Sequence, residues 1–269
     1  MTASLSGATV LVTGAATGVG RALALEAARR GADLIAVDVT DPAETADMIH
    51  AAGATARSCV ADVRDAEAVR ALADELFDDG TVDVVCANAG TGIGGTVDTL
   101  ASSDFSNVLA VNVLGVFHTV QAFLPALRRT RAAGRPASVL ITGSEHSLGV
   151  PPYVPPMTAY TTSKHAVLGL AASLRRDLAE DDIQVSLLCP SYVRTERLAD
   201  YASKDPAFAS ILQTYGQDAD VVAAAAFDGL AAGQFVVPTN AVSRDFVVDL
   251  HKTLIDAMEA VTATGRPAS

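Results

Sequence analysis

Gly14, Gly18 and Gly20 fall between an apolar run, "TVLVT" (9–13), and an alanine-rich stretch, "RALALEAARR" (21–30). A chain that passes from strand to helix through three such glycines makes a tight βα turn. Glycine there lets the backbone approach a bound phosphate, and the helix N-terminus offers it amide donors and positive potential. A turn that binds nothing satisfies the same spacing, so the motif needs support from elsewhere.

Support comes first from the rest of the pattern. "DLIAVDV" (33–39), "ARSCVADV" (56–63), "VDVVCANAG" (82–90), "ASVLITGS" (137–144) and "IQVSLLCP" (183–190) are short apolar runs, each separated from the next by a helical stretch. Asp41 and Pro42 suit an N-cap and first turn, one long helix is expected over 104–129 and another over 158–180, and "GQFVVP" (233–238) reads as a seventh strand. Continuously apolar strands alternating with helices predict a parallel sheet covered on both faces, a doubly wound three-layer α/β fold in one domain over 1–269. The irregular regions, 145–158 and about 194–220, follow strand ends, where open α/β sheets hold ligands, and the tail 262–269 reads as loose.

Charge narrows the class of partner. Lys+Arg 19 against Asp+Glu 31 gives a net charge of −12, which repels phosphate backbones and anionic membrane surfaces. No uninterrupted apolar stretch approaching ~20 residues is read in the sequence, and the N-terminus lacks a basic region before its first strand, so neither a membrane span nor a signal peptide is expected. Cys59, Cys86 and Cys189 lie far apart beside apolar runs, the pattern of buried thiols in a cytoplasmic protein, and no cysteine or histidine spacing suggests a metal site.

The chemistry-bearing residues follow the strand ends. Asp38 lies 18 residues after Gly20, where a carboxylate reaches ribose hydroxyls and repels a 2′-phosphate; Ala15, Ala16, Thr17 and Val39 offer no cation to receive one. NAD is therefore expected over NADP. Asp62 and Val63 are expected beside the adenine, and Asn88, Ala89 and Gly90 form a polar turn; each alone is ordinary loop chemistry. Tyr160 and Lys164 share one helix face, and a nearby ammonium lowers a phenol from its usual value near ~10. Ser144 ends the preceding strand, where its hydroxyl meets a reacting oxygen, and Asn112 lies in the long helix, where it holds a water linking the lysine to solvent. Pro190, Val193 and Thr195 follow the next strand, placed to meet a nicotinamide amide.

These motifs in this order resemble the short-chain dehydrogenase/reductase family, over about Gly7 to Thr195. The resemblance implies a single-domain Rossmann-like fold, a nicotinamide cofactor held by Gly14, Thr17, Gly18 and Val19 among others, and a catalytic tetrad of Asn112, Ser144, Tyr160 and Lys164. Tyr160 then accepts the alcohol proton, Lys164 lowers its pKa and binds the nicotinamide ribose, Ser144 orients the substrate oxygen and Asn112 anchors a proton relay. Homodimers or homotetramers built through the two long helices are also implied.

Three departures stand out against the family pattern. Ala87 precedes Asn88 where a second asparagine is common, Ser191 follows Pro190 in place of glycine, and the stretch from Ser144 to Tyr160 is about three residues longer. That extra length makes Ser147 a rival to Ser144; the strand end "SVLITGS" favours Ser144. The substrate loops offer Leu148, Val150, Tyr153, Met157, Tyr192, Leu198 and Tyr201, with His146 either touching substrate or solvated. A hydrophobic secondary alcohol or ketone, alicyclic, steroid-like or aryl, is the expected small-molecule substrate. The alternative is a nucleotide-binding relative that does no oxidation and serves as a sensor or assembly partner.

Overall fold

A computed structural model describes residues 4–263. The chain begins β1 (Thr9–Thr13), α1 (Gly18–Arg29), β2 (Asp33–Asp38), α2 (Ala43–Ala51), β3 (Ala56–Val60), α3 (Ala66–Phe77) and β4 (Val84–Ala87). It continues α4 (Ser102–Leu109), a π-helical turn (Ala110–Leu114), α5 (Gly115–Ala132), β5 (Ala137–Thr142), α6 (Thr158–Asp177) and β6 (Ile183–Cys189). Two short strands, β7 (Val193–Arg194) and β8 (Gln217–Asp218), bracket α7 (Glu196–Lys204) and α8 (Pro206–Tyr215); α9 (Ala219–Ala231), β9 (Val236–Pro238) and α10 (Arg244–Ala263) complete the chain.

Seven parallel strands form one sheet in the order β3-β2-β1-β4-β5-β6-β9, so the expected seventh strand is present as β9. β4, β5 and most of β1 and β6 are buried, as strands covered on both faces must be. α1, α2 and α9 cover one face through Leu23, Ala27, Ile49 and Phe227; α3, α5 and α6 cover the other through Val69, Phe77, Phe123, Leu127 and Val167. The strand order reverses between β1 and β4, and this switch point opens the crevice at the carboxyl ends.

The structure corrects several expectations. The helix read as continuous over 104–129 contains a π turn at Ala110–Leu114, an added residue that no 3.6-residue periodicity signals. The stretch near 194–220 is helical in α7 and α8, each started by a side-chain cap, Thr195 and Asp205. Pro42, not Asp41, is the N-cap residue of α2, while the Asp41 carboxylate accepts from Ala43 N–H at 3.1 Å. Ser102–Ala132 is, by length and composition, apolar enough to cross a membrane, with mean hydropathy 1.6. Its Val116, Val120, Phe123 and Leu127 instead pack into the core beneath the sheet. Of the tail read as loose, Thr262 and Ala263 end α10, and 264–269 lie outside the described residues.

Candidate active site

A cleft of about 660 Å³ runs along the carboxyl ends of β1, β2, β4, β5 and β6. At one end lies the glycine turn. Gly14 and Gly18 take left-handed φ values of +70° and +58°. A Cβ on Gly20 would sit 1.9 Å from Gly14 O, and one on Gly14 2.8 Å from Ala89 Cα, so these two glycines are required by packing within the chain itself. Gly18 faces the cleft, where a Cβ would come 3.0 Å from Thr195 Cγ2. Thr17 gives α1 no side-chain cap, and the Gly18 N–H donates to Glu196 Oε2 at 3.2 Å. A helix N-terminus lining a cleft and already attracting a carboxylate has the donors that a pyrophosphate needs. The cradle fits a dinucleotide.

Along the cleft, Asp38 accepts from Ala16 N–H at 2.9 Å and Thr40 N–H at 3.1 Å, which fixes its carboxylate on the wall. Asp62 is gripped by Arg64, which holds its carboxyl below the usual range, and Arg64 also donates to Asn107 Oδ1 at 2.9 Å. Sequence reasoning missed Arg64, whose signal was its place two residues after a strand-end carboxylate. Val63 packs where a Cβ on Gly115 would meet it at 2.6 Å, and its carbonyl pairs with His118 Nδ1 at 2.9 Å. Asn88 staples three strand ends: its N–H donates to Thr13 Oγ1 at 3.0 Å, its Nδ2 to Thr13 O at 3.0 Å, and its Oδ1 accepts from Thr142 Oγ1 at 2.9 Å. Ala89 N–H shares Thr13 Oγ1, and Gly90 lies between Asn112 and Lys164.

Tyr160 and Lys164 project from the start of α6 into the same wall. Lys164 Nζ donates to Thr142 O at 2.8 Å and lies 5.6 Å from the Tyr160 ring centroid. Burial pulls Lys164 down to about 8. Burial also pushes Tyr160 up, opposed by the Ser144 hydroxyl and reinforced by the Glu145 charge. Lys164, its amine turned to a carbonyl, is not among the groups that move the phenol, and the cost of desolvating a phenolate carries it upward, opposite to the acidification expected from sequence. Ser144 Oγ lines the cleft, accepting from His146 N–H at 3.2 Å and donating to Pro190 O at 3.4 Å. Ser147 is fully buried behind it, its Oγ accepting from Ser144 N–H at 3.2 Å.

Asn112 sits in the π turn, wholly buried. Its Oδ1 accepts from Thr91 N–H at 2.8 Å, and its Nδ2 donates to Thr91 O and Ser163 Oγ, both at 2.9 Å. Both amide protons are thus committed to bracing the loop after β4 against α6, which leaves one Oδ1 lone pair for any water.

At the far end Pro190, Tyr192, Val193, Met157 and Leu198 line the cleft; Leu148, Val150 and Tyr201 do not. His146 is buried, not solvated: its Nδ1 pairs with Thr161 Oγ1 at 2.8 Å, its ring meets Tyr160 edge-on at 5.2 Å, and desolvation lowers it to about 4. Thr195 Oγ1 accepts from Leu198 N–H at 3.3 Å as the cap of α7. Tyr153 does not line the cleft, contrary to expectation; its hydroxyl donates to Glu145 and its ring stacks on Tyr215 at 4.4 Å. Arg197, also missed, donates across the mouth to Gly92 O at 3.1 Å.

Comparison with known proteins agrees with this architecture. Residues 8–206 match the model of the short chain dehydrogenase family. The chain is 34% identical over 242 residues to 1-deoxy-11-beta-hydroxypentalenate dehydrogenase of Streptomyces avermitilis, covering 88% of this chain and 86% of the relative. Among solved structures, a short chain dehydrogenase/reductase from Burkholderia phymatum in complex with NAD superposes with TM-score 0.78 at 29% identity, over 99% of this chain and 98% of the other. The RhlG/NADP active-site complex of Pseudomonas aeruginosa gives TM-score 0.79 at 27% identity, over 88% and 96%.

Proposed function

The chain belongs to the short-chain dehydrogenase/reductase family of nicotinamide-dependent oxidoreductases, and from that premise we propose that it moves hydride between NAD and a hydrophobic secondary alcohol or the matching ketone, alicyclic, steroid-like or aryl. One observation carries the reading. The Tyr160 phenol, the Lys164 amine and the Ser144 hydroxyl border the same cleft as the glycine turn at α1.

When bound, the nicotinamide supplies the hydride acceptor or donor. Gly14, Thr17, Gly18 and Val19 would hold its pyrophosphate, Asp38 the adenosine ribose, Asp62 and Val63 the adenine, and Asn88, Ala89 and Gly90 the middle of the molecule. Pro190, Val193 and Thr195 would hold the amide, with Lys164 on the second ribose. Tyr160 Oη exchanges a proton with the substrate oxygen. Because burial raises its pKa, its resting form is the phenol, which gives a proton to a ketone. Ser144 Oγ orients that oxygen, and Asn112 fixes the loop and helix around the lysine. His146 and Tyr192 border the substrate, with Met157 and Leu198 supplying apolar surface.

NAD is preferred over NADP because the fixed Asp38 carboxylate repels a 2′-phosphate. Arg21 is committed to Ala16 O, Glu44 and Glu196, and Arg64 to Asp62, so neither is free to compensate. Relatives carry either cofactor. The relative from Streptomyces avermitilis is named for a hydroxylated substrate, which supports an alcohol here. Leu114 and Phe117, both exposed on the helix over 102–132, support a homodimer or homotetramer, and the free buried thiols support a cytoplasmic setting. A nucleotide-binding protein that oxidises nothing has no use for Tyr160 and Lys164 side by side, so that alternative has no observation in its favour. The test is the reduced-nicotinamide absorbance with NAD or NADP against a panel of secondary alcohols. Activity in wild type that vanishes in Tyr160→Phe is expected; equal activity in both refutes the mechanism.

A further inference from the structure

One residue past Ser144 lies a carboxylate almost wholly removed from water: Glu145 is 2% exposed. Among the described residues its side-chain partners are three hydroxyls. Ser191 Oγ donates to Oε1 at 3.0 Å, Ser243 Oγ to Oε2 at 2.7 Å, and Tyr153 Oη also to Oε2. A buried charge held by neutral donors alone is costly unless each donor is kept in place. The donors come from three separate parts of the chain: the loop before α6, the turn after β6, and the 3₁₀ turn before α10. Aromatic packing also joins the loop to the C-terminal segment, since Tyr153 meets the Phe246 ring of α10 at 6.2 Å, and it ties the loop to α8 by stacking on Tyr215. Gly149 packs closely against Phe246, where a Cβ would come 2.7 Å from Cδ2. Glu145 itself forms part of the cleft wall.

We propose that Glu145 is a positioning residue: its carboxylate clasps the 145–158 loop, the turn after β6 and the C-terminal segment into one wall, and that wall sets the size of substrate reaching Tyr160. The inference rests on the reading that Ser144 and Tyr160 face the substrate. It gives two departures of the sequence a physical cause. Ser191 brings a hydroxyl where glycine would bring none, and the lengthened loop carries Tyr153. Glu145 also shares a setting with Tyr160. The groups facing that phenol are Lys164 on its own helix, Glu145 and His146 after β5, Cys189 at the end of β6, Tyr192, and Arg197 of α7. Among them the Glu145 charge favours the neutral phenol.

The experiment uses the full chain as wild type, Glu145→Gln, Tyr153→Phe, Ser191→Gly and Ser243→Ala, with secondary alcohols of graded ring size and with hydrogen exchange of the free protein. In Tyr153→Phe and Ser243→Ala, kcat/KM for large over small alcohols rises about 3- to 10-fold through KM, while the cofactor Kd stays as in wild type. Exchange speeds up in 147–149, where the amides are bonded, and in 243–250 together, whichever partner is removed. In Glu145→Gln the pH of half-maximal activity moves down. Should Glu145→Gln fail to fold, Tyr153→Phe and Ser243→Ala decide. Unchanged size preference, or exchange that rises only beside the substituted residue, overturns the clasp. A wild type inactive on every alcohol refutes the proposed function instead, and the exchange result still judges the clasp.

Discussion

At the glycine end of the cleft, Ala15 N–H donates to Val37 O at 3.1 Å, Ala61 N–H to Asp38 O at 2.9 Å, and Asp38 ties down Ala16 N–H. At the Glu145 end, Ser243 reaches across 98 residues of chain and Tyr153 leans on Tyr215. The first end is mostly main chain held by main chain, set by strand register, with the Asp38 and Asn88 side chains tying loop to strand end. The second is side chain held by side chain. A site whose path is set by strand register tolerates almost no change in its glycines; a site built from hydroxyls and rings is retuned by single substitutions. The division suits a shared cofactor at one end and a particular substrate at the other.

The largest expected effect is at the seam. Tyr160→Phe should lower kcat by about 10²- to 10⁴-fold while leaving cofactor affinity and thermal midpoint near wild type. A matching loss of cofactor affinity would move Tyr160 to the backbone-built end. Next comes Gly20→Ala, whose Cβ would lie 1.9 Å from Gly14 O. Denaturant unfolding should show a loss of about 3 kcal/mol, the upper part of the overpacking range. Gly94→Ala on the loop after β4, with its nearest neighbour 3.7 Å away, is the contrasting control and should lose little.

Lys164→Met sharpens the seam through pH. Folding lowers Lys164 from 10.5 to about 8, so at pH 7 both states carry the proton and the folded state bears the burial cost. Between about 8 and 10.5 the unfolded chain holds more protons, and stability rises with pH by on the order of 3 kcal/mol. The variant lacks that rise, so its stability relative to wild type should fall across this window in urea titrations at stepped pH. The smallest effect is expected from Asp38→Asn, a shift of about tenfold in the NAD-to-NADP affinity ratio, near 1.4 kcal/mol, read by calorimetric titration. A ratio that does not move would mean that the ribose end is not read by charge.

The same division explains what the sequence disclosed. β1, the glycine turn and Asp38 are local patterns, and their spacing carries the βα geometry with it. Tyr160 and Lys164 are four apart on one helix, so their juxtaposition is also written locally. The phenol's raised pKa is not, because burial depends on everything packed around α6. Glu145 is invisible for the same reason: its partners at 153, 191 and 243 meet only in the folded chain. Tyr153 has the composition of a pocket residue, and its hydrogen bond to Glu145 and its packing on Tyr215 and Phe246 take it out of the cleft wall.

The π turn at Ala110–Leu114 has a further consequence for inheritance of the fold. It is one residue more than an α-helical path requires. With every residue kept, winding 110–114 as ordinary α-helix would rotate all that follows by about 100°. Val116, Val120, Phe123 and Leu127 would then swing out of the interior, so the widened turn is what lets this stretch carry its extra residue with the apolar face still inward.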